Sequence, residues 1–275
     1  MASLHQLTIG EDTEFKRILA TAGFDAETIR KINKNADIAS VMLAAVRQHP
    51  AFRLVHGRFT PLADKLAMVK TWLGINPEDV DAAFATATEN GTIAGYESEV
   101  AGNPLLDIVV TVYRESIPAT LIYVRERMRE AWGEKYSEWE AAYAQGVDDD
   151  RVKAIPGAKQ FVPNRIVIEV VDLGANWNRK DGIVLEEVQK AQAPKLADFA
   201  VIYDAIQSPK WVEQMDGDNV PYALVPALLL NVPGYGSWRD SPFVWRYGGR
   251  AELGGLHVEG RFDGDAMPVL REYKR

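Results

Sequence analysis

Apolar residues in the first ninety positions recur at the spacing of three and four residues that is typical of amphipathic helices. Phe15, Ile18, Leu19 and Ala22 follow this spacing, and Gly23 comes directly after them as a helix stop. Residues 25–45 repeat the pattern twice, and Thr60-Pro61 and Asn76-Pro77 each place an N-cap residue before a proline, as at a helix start. The sequence therefore predicts a helical module over residues 1–92.

The pattern changes after Gly91. Residues 105–113 and 166–173 are nearly continuous apolar runs rich in β-branched side chains, which are typical of strands buried on both faces. Between them, apolar and aromatic residues from Leu121 to Tyr143 step by three or four and indicate a long helix, with Gly133 as its expected break. We expect a mixed α/β region over residues 93–190, with a loop over residues 146–163.

The last part of the chain combines helix and strand patterns. Helices are expected from Pro194 and at Ser208-Pro209, and short strands separated by turns from Pro221 onward. The Gly248-Gly249 pair predicts a two-residue hairpin loop. Residues 216–221 and 263–268 share an Asp-Gly-Asp start and a final proline, which we interpret as two turns that lead into strands. The sequence predicts a helix followed by an antiparallel strand-rich domain over residues 191–275, and thus an α+β fold.

Two prolines affect the first of these C-terminal strands. Pro221 and Pro226 have no amide donor, so this strand is expected at a sheet edge or interrupted by a bulge. An unprotected strand edge is also a place where another polypeptide can dock.

Composition and charge remove several classes of function. The 275 residues are 47% apolar and include no cysteine, so the chain can bury a large core and has no disulfide, thiolate metal site or thiol nucleophile. The net charge of −8 makes nucleic acid an unlikely partner. Because no stretch has the pattern of a signal peptide or a membrane span, we expect a cytoplasmic protein without a membrane partner.

Motifs for cofactors are also absent from the sequence. It has no phosphate-binding glycine motif and no nucleophile elbow. The four histidines, at positions 5, 49, 56 and 257, lack metal-ligand spacing. We therefore expect no cofactor and no metal bound by histidine.

Carboxylates within the two apolar runs are the remaining candidates for catalysis. Asp107 interrupts the first run, and Glu169 and Asp172 lie in the second. If the two strands are neighbours, the three groups could form a divalent-metal site of a hydrolase or nuclease-like enzyme. The alternative is that each acid pairs with an arginine or faces water.

Aromatic residues and arginines near residue 240 are the candidates for binding. Tyr235, Trp238, Arg239 and Arg246 belong to residue types that dominate binding hot spots and stack on sugars. They favour a partner-binding loop or, as an alternative, a small-ligand or carbohydrate-binding module. Core packing is the competing interpretation, because residues 243, 245 and 247 alternate toward one face of a strand.

Several short motifs in the last eighty residues carry a resemblance to other proteins. They are Leu196 to Ala200, Ser208 to Trp211, Met215 to Gly217, Val220 to Tyr222 and Pro268 to Glu272. This region resembles the C-terminal part of uncharacterised bacterial proteins from candidate phyla, and the resemblance implies no activity. The sequence as a whole favours a non-catalytic binding or structural protein that acts on a protein partner or assembles with itself.

Overall fold

The computed structural model describes residues 59–143, 150–177, 182–218, 220–234, 238–262 and 264–273. The chain divides into two compact units, Met1–Gly57 and Arg58–Arg275, and all the described residues belong to the second. The helices predicted between residues 15 and 45 lie outside the described residues. The division into three parts at residues 92 and 190 stays a prediction.

Eight α-helices lie in the described part of the chain: α1 (Leu62–Lys70), α2 (Pro77–Glu89), α3 (Thr92–Glu99), α4 (Ile117–Trp132), α5 (Glu140–Tyr143), α6 (Leu185–Gln192), α7 (Ala200–Gln207) and α8 (Pro209–Glu213). Two of them begin at a residue whose side chain caps the helix. The side chain of Asn76 accepts a hydrogen bond from the Glu78 amide before α2, and that of Ser116 accepts one from the Ala119 amide before α4.

Twelve strands accompany these helices in the same part of the chain: β1 (Leu106–Tyr113), β2 (Tyr136–Glu138), β3 (Val152–Ala154), β4 (Arg165–Asp172), β5 (Ile183–Val184), β6 (Tyr222–Leu224), β7 (Leu228–Leu230), β8 (Asp240–Tyr247), β9 (Arg250–His257), β10 (Arg261–Phe262), β11 (Asp265–Ala266) and β12 (Val269–Arg271). Together with the helices they confirm the α+β fold. The two buried runs predicted as strands are β1 and β4.

A three-stranded antiparallel sheet has the order β1-β4-β12. β1 and β4 pair over their whole length, from Leu106 opposite Asp172 to Tyr113 opposite Arg165. β12 is shorter and pairs only with residues 170–172 of β4. All eight residues of β1 are buried, which explains why its sequence is an apolar run without alternation.

A seven-stranded sheet contains most of the C-terminal strands, in the order β11-β6-β8-β7-β3, with β9 paired to both β8 and β2. The hairpin between β8 and β9 turns at Gly248 and Gly249, which have φ angles of 57° and 81°, so the predicted two-residue loop is confirmed. Gly217 and Gly264 precede β6 and β11, so both predicted turns do lead into strands. These two strands also pair in parallel with each other. β5 and β10 form a separate two-stranded ladder.

The strand predicted near Pro221 and Pro226 is interrupted but does not lie at an edge. β6 ends before Pro226 and β7 starts after it, while Val225 donates its amide to the Pro242 carbonyl. β6 has β11 and β8 as neighbours, and β7 has β8 and β3. The proline breaks the strand, and the flanking strands pair with both halves.

Three other sequence predictions need correction. The break expected at Gly133 is confirmed, with a positive φ of 52°, but the residues beyond it form β2 and the short α5 and do not continue the helix. The helix expected from Pro194 begins at Ala200. The loop expected over residues 146–163 contains β3, which pairs with β7.

The larger hydrophobic core packs α4 and α7 against β1 and β4, and Leu121, Met128 and Val201 are among its fully buried side chains. A smaller core includes Leu224 and Met267. Among the described residues, no helix is long and apolar enough to span a membrane.

Candidate functional site

The outer edge of β1 is closed by side chains. Gln207 accepts a hydrogen bond from the Val110 amide at 3.0 Å and donates one to the Val110 carbonyl at 2.7 Å. The Tyr203 hydroxyl donates to the Val112 carbonyl at 2.7 Å, and the Lys65 ammonium donates to the Ile108 carbonyl at 2.8 Å. The side chains of α1 and α7 thus take the place of a neighbouring strand.

The ammonium of Lys65 is held by two buried carboxyl groups. It donates to Asp107 and, at 3.1 Å, to Asp204, and Ser208 donates a further hydrogen bond to Asp107 at 3.1 Å. All four residues are fully buried. Burial and the neighbouring Asp204 raise the pKa of Asp107 well above its usual value. Burial alone would lower the pKa of Lys65, but the two carboxyl groups outweigh it and raise this pKa. Since this cluster is closed to solvent, we assign it to holding α1 and α7 against β1.

The hydrogen bonds of β1 also show which backbone groups of β4 face β1 and which face away from it. Backbone groups in an antiparallel pair alternate, residue by residue, between the two sides of the strand. Because Val110 directs its amide and carbonyl toward Gln207, the residues that face β4 are those on either side of it, such as Val109, which pairs with Glu169. On β4 it is therefore Ile166 and Ile168 that direct their backbone groups away from β1.

No strand in the described part of the chain pairs with β4 at Ile166 and Ile168. β12 occupies this side of β4 only as far as Val170. Among the described residues, two amides and two carbonyls of β4 therefore have no strand partner, and we call this part of β4 its open edge. The same sheet has its other edge closed by side chains.

A cleft of about 810 Å³ lies at this open edge. We call it the β4 cleft. It is lined by residues 164–169 at the start of β4, by residues 270–273 at the chain end and by small side chains of α2, namely Ala82, Ala83, Thr86 and Ala87. Five consecutive residues of β4, Arg165 to Glu169, line the cleft, so residues of both faces of the strand border it. Val112 and Tyr113 of β1 line the cleft too, so it extends from the open edge of β4 over the end of the sheet.

A cluster of ionisable groups reaches the β4 cleft through Tyr113 and Glu169. The Tyr113 hydroxyl lies 3.1 Å from Glu169 Oε2 and 2.8 Å from Asp198 Oδ1, and Lys159 donates to Glu169 Oε1 at 3.4 Å. One hydroxyl donates only one hydrogen, so both short contacts of Tyr113 are hydrogen bonds only if one carboxyl group is protonated. Burial and the nearby Glu169 raise the pKa of Asp198 to about 7, so this carboxyl group can carry the proton that the second contact requires.

The three carboxylates proposed as a metal site do not come together. β1 and β4 are neighbours, as that hypothesis requires. However, Asp107 belongs to the Lys65 cluster, Glu169 contacts Tyr113 and Lys159, and Asp172 accepts a hydrogen bond from Arg271 at 2.6 Å. By strand alternation, Asp172 also projects to the opposite face from Glu169. Within the described ranges, no group of three His, Asp or Glu side chains is placed to hold a metal ion.

The residues proposed for binding lie elsewhere in the molecule. Tyr235 is outside the described residues. Trp238 is half-buried, with the Lys153 ammonium 3.8 Å from its ring centroid. Arg239 is exposed, and the exposed Arg246 donates to the Glu213 carbonyl at 2.7 Å. Trp238, Arg239 and Arg246 do not line the β4 cleft. Their role in binding stays a prediction.

Sequence reasoning did not find most residues of the β4 cleft. It singled out Glu169, but not Tyr113, Lys159 or Arg165, nor Asp198, which contacts Tyr113 behind the cleft. A tyrosine at the end of an apolar run and an aspartate before a helix have the ordinary composition of strand ends and helix starts, so the sequence carries no signal for them. Their proximity depends on the pairing of β1 with β4.

Comparisons with protein-family models, with curated proteins and with solved structures gave no match to this chain. The geometry of the β4 cleft therefore carries the functional argument.

Proposed function

We propose that this protein binds an extended segment of another polypeptide in the β4 cleft, where the segment adds to β4 as a further strand. The open edge at Ile166 and Ile168 carries the proposal. An added strand would supply partners for backbone groups that face the cleft, and this is how strand addition gains its affinity. The other edge of the same sheet, at β1, cannot bind a strand in this way, because side chains already occupy its backbone groups.

The walls of the cleft fit a polypeptide backbone. Thr86 and the three alanines of α2 leave room beside β4, and the volume of about 810 Å³ is within the range of ligand sites. The line of β12, which already pairs with β4 from Val170 to Asp172, continues into this space. A segment of four or five residues, at about 3.3 Å per residue, would cover the open part of β4.

A library of random heptapeptides displayed on phage is a direct probe, because it assumes no particular partner. Peptides selected on the full chain would be synthesised and their dissociation constants measured by fluorescence anisotropy. We expect the selected peptides to have sequences typical of β-strands, with residue preferences that alternate from one position to the next. A library that yields no peptide dependent on the β4 cleft would contradict the proposal.

Two threonines of α2 offer a matched pair of variants. Thr86 and Thr88 are both exposed, and each donates its hydroxyl to the carbonyl four residues earlier at 2.9 Å, but only Thr86 lines the cleft. We expect Thr86→Trp to fill the cleft and weaken the selected peptides about tenfold or more, a loss of about 1.4 kcal/mol per factor of ten. Thr88→Trp should leave the dissociation constants unchanged. Equal effects of the two variants would place the binding elsewhere.

Amide hydrogen exchange, followed by NMR, tests strand addition itself. Peptide binding should slow exchange at the Ile166 and Ile168 amides, since these gain hydrogen-bond acceptors. The Val110 amide, already bonded to Gln207, serves as the internal control. A peptide that binds without protecting Ile166 or Ile168 would show that the cleft does not add a strand.

A second copy of this chain is the other source of a strand, as in the self-assembly expected from the sequence. Light scattering of the purified chain separates the two cases. A mass above the monomer that Thr86→Trp reduces, and Thr88→Trp does not, would make the partner a second copy.

A further inference from the structure

The side chains beside the open edge of β4 carry an inference about the bound segment, which rests on the function proposed above. Two arginines, Arg114 and Arg165, line the β4 cleft. Neither has a salt bridge to a carboxylate among the described residues. Each guanidinium is instead placed over a tyrosine ring, Arg114 at 4.9 Å from the Tyr123 centroid and Arg165 at 4.8 Å from the Tyr113 centroid.

The other cations of the cleft are already engaged, and two carboxylates, Asp79 and Glu272, line it as well. Lys159 contacts Glu169, and Arg271 donates to Asp172 at 2.6 Å. The Glu169 carboxylate is further occupied by the Tyr113 hydroxyl. Arg114 and Arg165 are therefore the cleft cations whose charge is left for a ligand.

The guanidinium of Arg165 lacks one hydrogen-bond acceptor among the described residues. Its Nε atom is buried and has no hydrogen-bond partner in the described part of the chain. A guanidinium presents its N–H groups as a planar fork that matches a carboxylate with two parallel hydrogen bonds. Stacking on Tyr113 fixes the plane of this fork before any ligand arrives, so little side-chain entropy is lost on binding.

We propose that the polypeptide segment bound in the β4 cleft carries an aspartate or glutamate whose carboxylate pairs with Arg165, with Arg114 as the second cation. Residues directly opposite each other on neighbouring strands place their side chains on the same face. The acidic side chain therefore belongs to the residue opposite Arg165, and the residues on either side of it project to the other face. We therefore expect the bound segment to be extended and to have an aspartate or glutamate at one defined position.

The heptapeptide library tests this directly. Selection on the unaltered chain should enrich Asp or Glu at one position of the peptides that Thr86→Trp weakens. Selection on Arg165→Gln should yield cleft-dependent peptides without this enrichment. Lys195→Gln changes the net charge equally at an exposed residue outside the cleft, and it should retain the acid preference.

A change on the peptide side requires no protein variant. Replacing the enriched Glu by Gln, or Asp by Asn, in a synthetic peptide should raise the dissociation constant roughly tenfold, as expected for a charge-assisted hydrogen bond. The same replacement should have little effect on binding to Arg165→Gln. Arg114→Gln gives an independent reading if Arg165→Gln lowers the melting temperature of the protein.

The outcomes separate the two proposals. Cleft-dependent peptides with no preferred acidic position would overturn the pairing with Arg165 and leave strand addition in place. Acid enrichment that persists unchanged on Arg165→Gln and Arg114→Gln would also overturn it. If no selected peptide depends on the cleft, both the function and the pairing fail.

Discussion

Tyr113 has a different role from the other buried tyrosines because its hydroxyl contacts two carboxyl groups. Burial and the adjacent Asp198 raise the pKa of Tyr113 well above its usual value, so the phenol stays protonated at neutral pH. The proton of the Asp198 carboxyl is then the one that titrates near neutrality. Because Tyr113 lines the β4 cleft, Asp198 lies one hydrogen bond away from the cleft.

The raised pKa of Asp198 predicts how stability varies with pH. Its carboxyl titrates near 3.9 in the unfolded chain and at about 7 in the folded one. Between these values the folded state holds a proton that unfolding releases, so raising the pH favours unfolding. The free energy of unfolding should fall from about pH 4 to pH 7, by at most about 1.4 kcal/mol per pH unit for one proton, and level off above pH 7.

Asp198→Asn should remove this contribution, because the amide does not titrate. Urea denaturation at several pH values would measure it, and the variant should gain stability relative to the unaltered chain as the pH rises through this window. Glu134→Gln, at an exposed position, is a control that should leave the slope in place. Parallel pH profiles for Asp198→Asn and the unaltered chain would show that the proton is held elsewhere.

At the scale of elements, the two edges of the three-stranded sheet differ in how their backbone groups are satisfied. The outer edge of β1 is satisfied by side chains of α1 and α7, whereas the edge of β4 that faces away from β1 has no strand partner at Ile166 and Ile168 in the described ranges. A helix side chain that satisfies both backbone groups of one residue, as Gln207 does for Val110, replaces a pair of ladder hydrogen bonds.

Gln207→Leu tests this closure of the β1 edge. The substitution keeps the volume but leaves the buried amide and carbonyl of Val110 without partners, at a cost of about 1–3 kcal/mol for each group. We expect the free energy of unfolding, measured in urea, to fall by about 2–5 kcal/mol. Gln189 is also buried but donates one hydrogen bond, to the Pro226 carbonyl at 2.9 Å, so Gln189→Leu should cost about half as much. Equal losses would mean that Val110 finds other partners.

At the scale of the molecule, the described residues after position 58 build two hydrophobic cores and three sheets among themselves. Arg58–Arg275 also forms one compact unit, distinct from the unit Met1–Gly57. A fragment of residues 58–275 should therefore fold alone and unfold in a single cooperative transition, monitored by circular dichroism and calorimetry against the full chain. A fragment with helical signal but no cooperative transition would show that residues 1–57 are needed to complete the fold.

Local signals in the sequence determined the elements that depend on neighbouring residues. The apolar runs gave β1 and β4, Asn76-Pro77 gave the start of α2, and Gly248-Gly249 gave the hairpin, because burial, capping and turn geometry act over a few positions. Only the tertiary structure decided which strand edges are closed and which are open. Lys65 and Asp107 are 42 positions apart, and Val110 and Gln207 are 97 apart. The β4 cleft exists because β12 ends its pairing at Val170, and such a register is set by packing between distant segments and not by any local pattern.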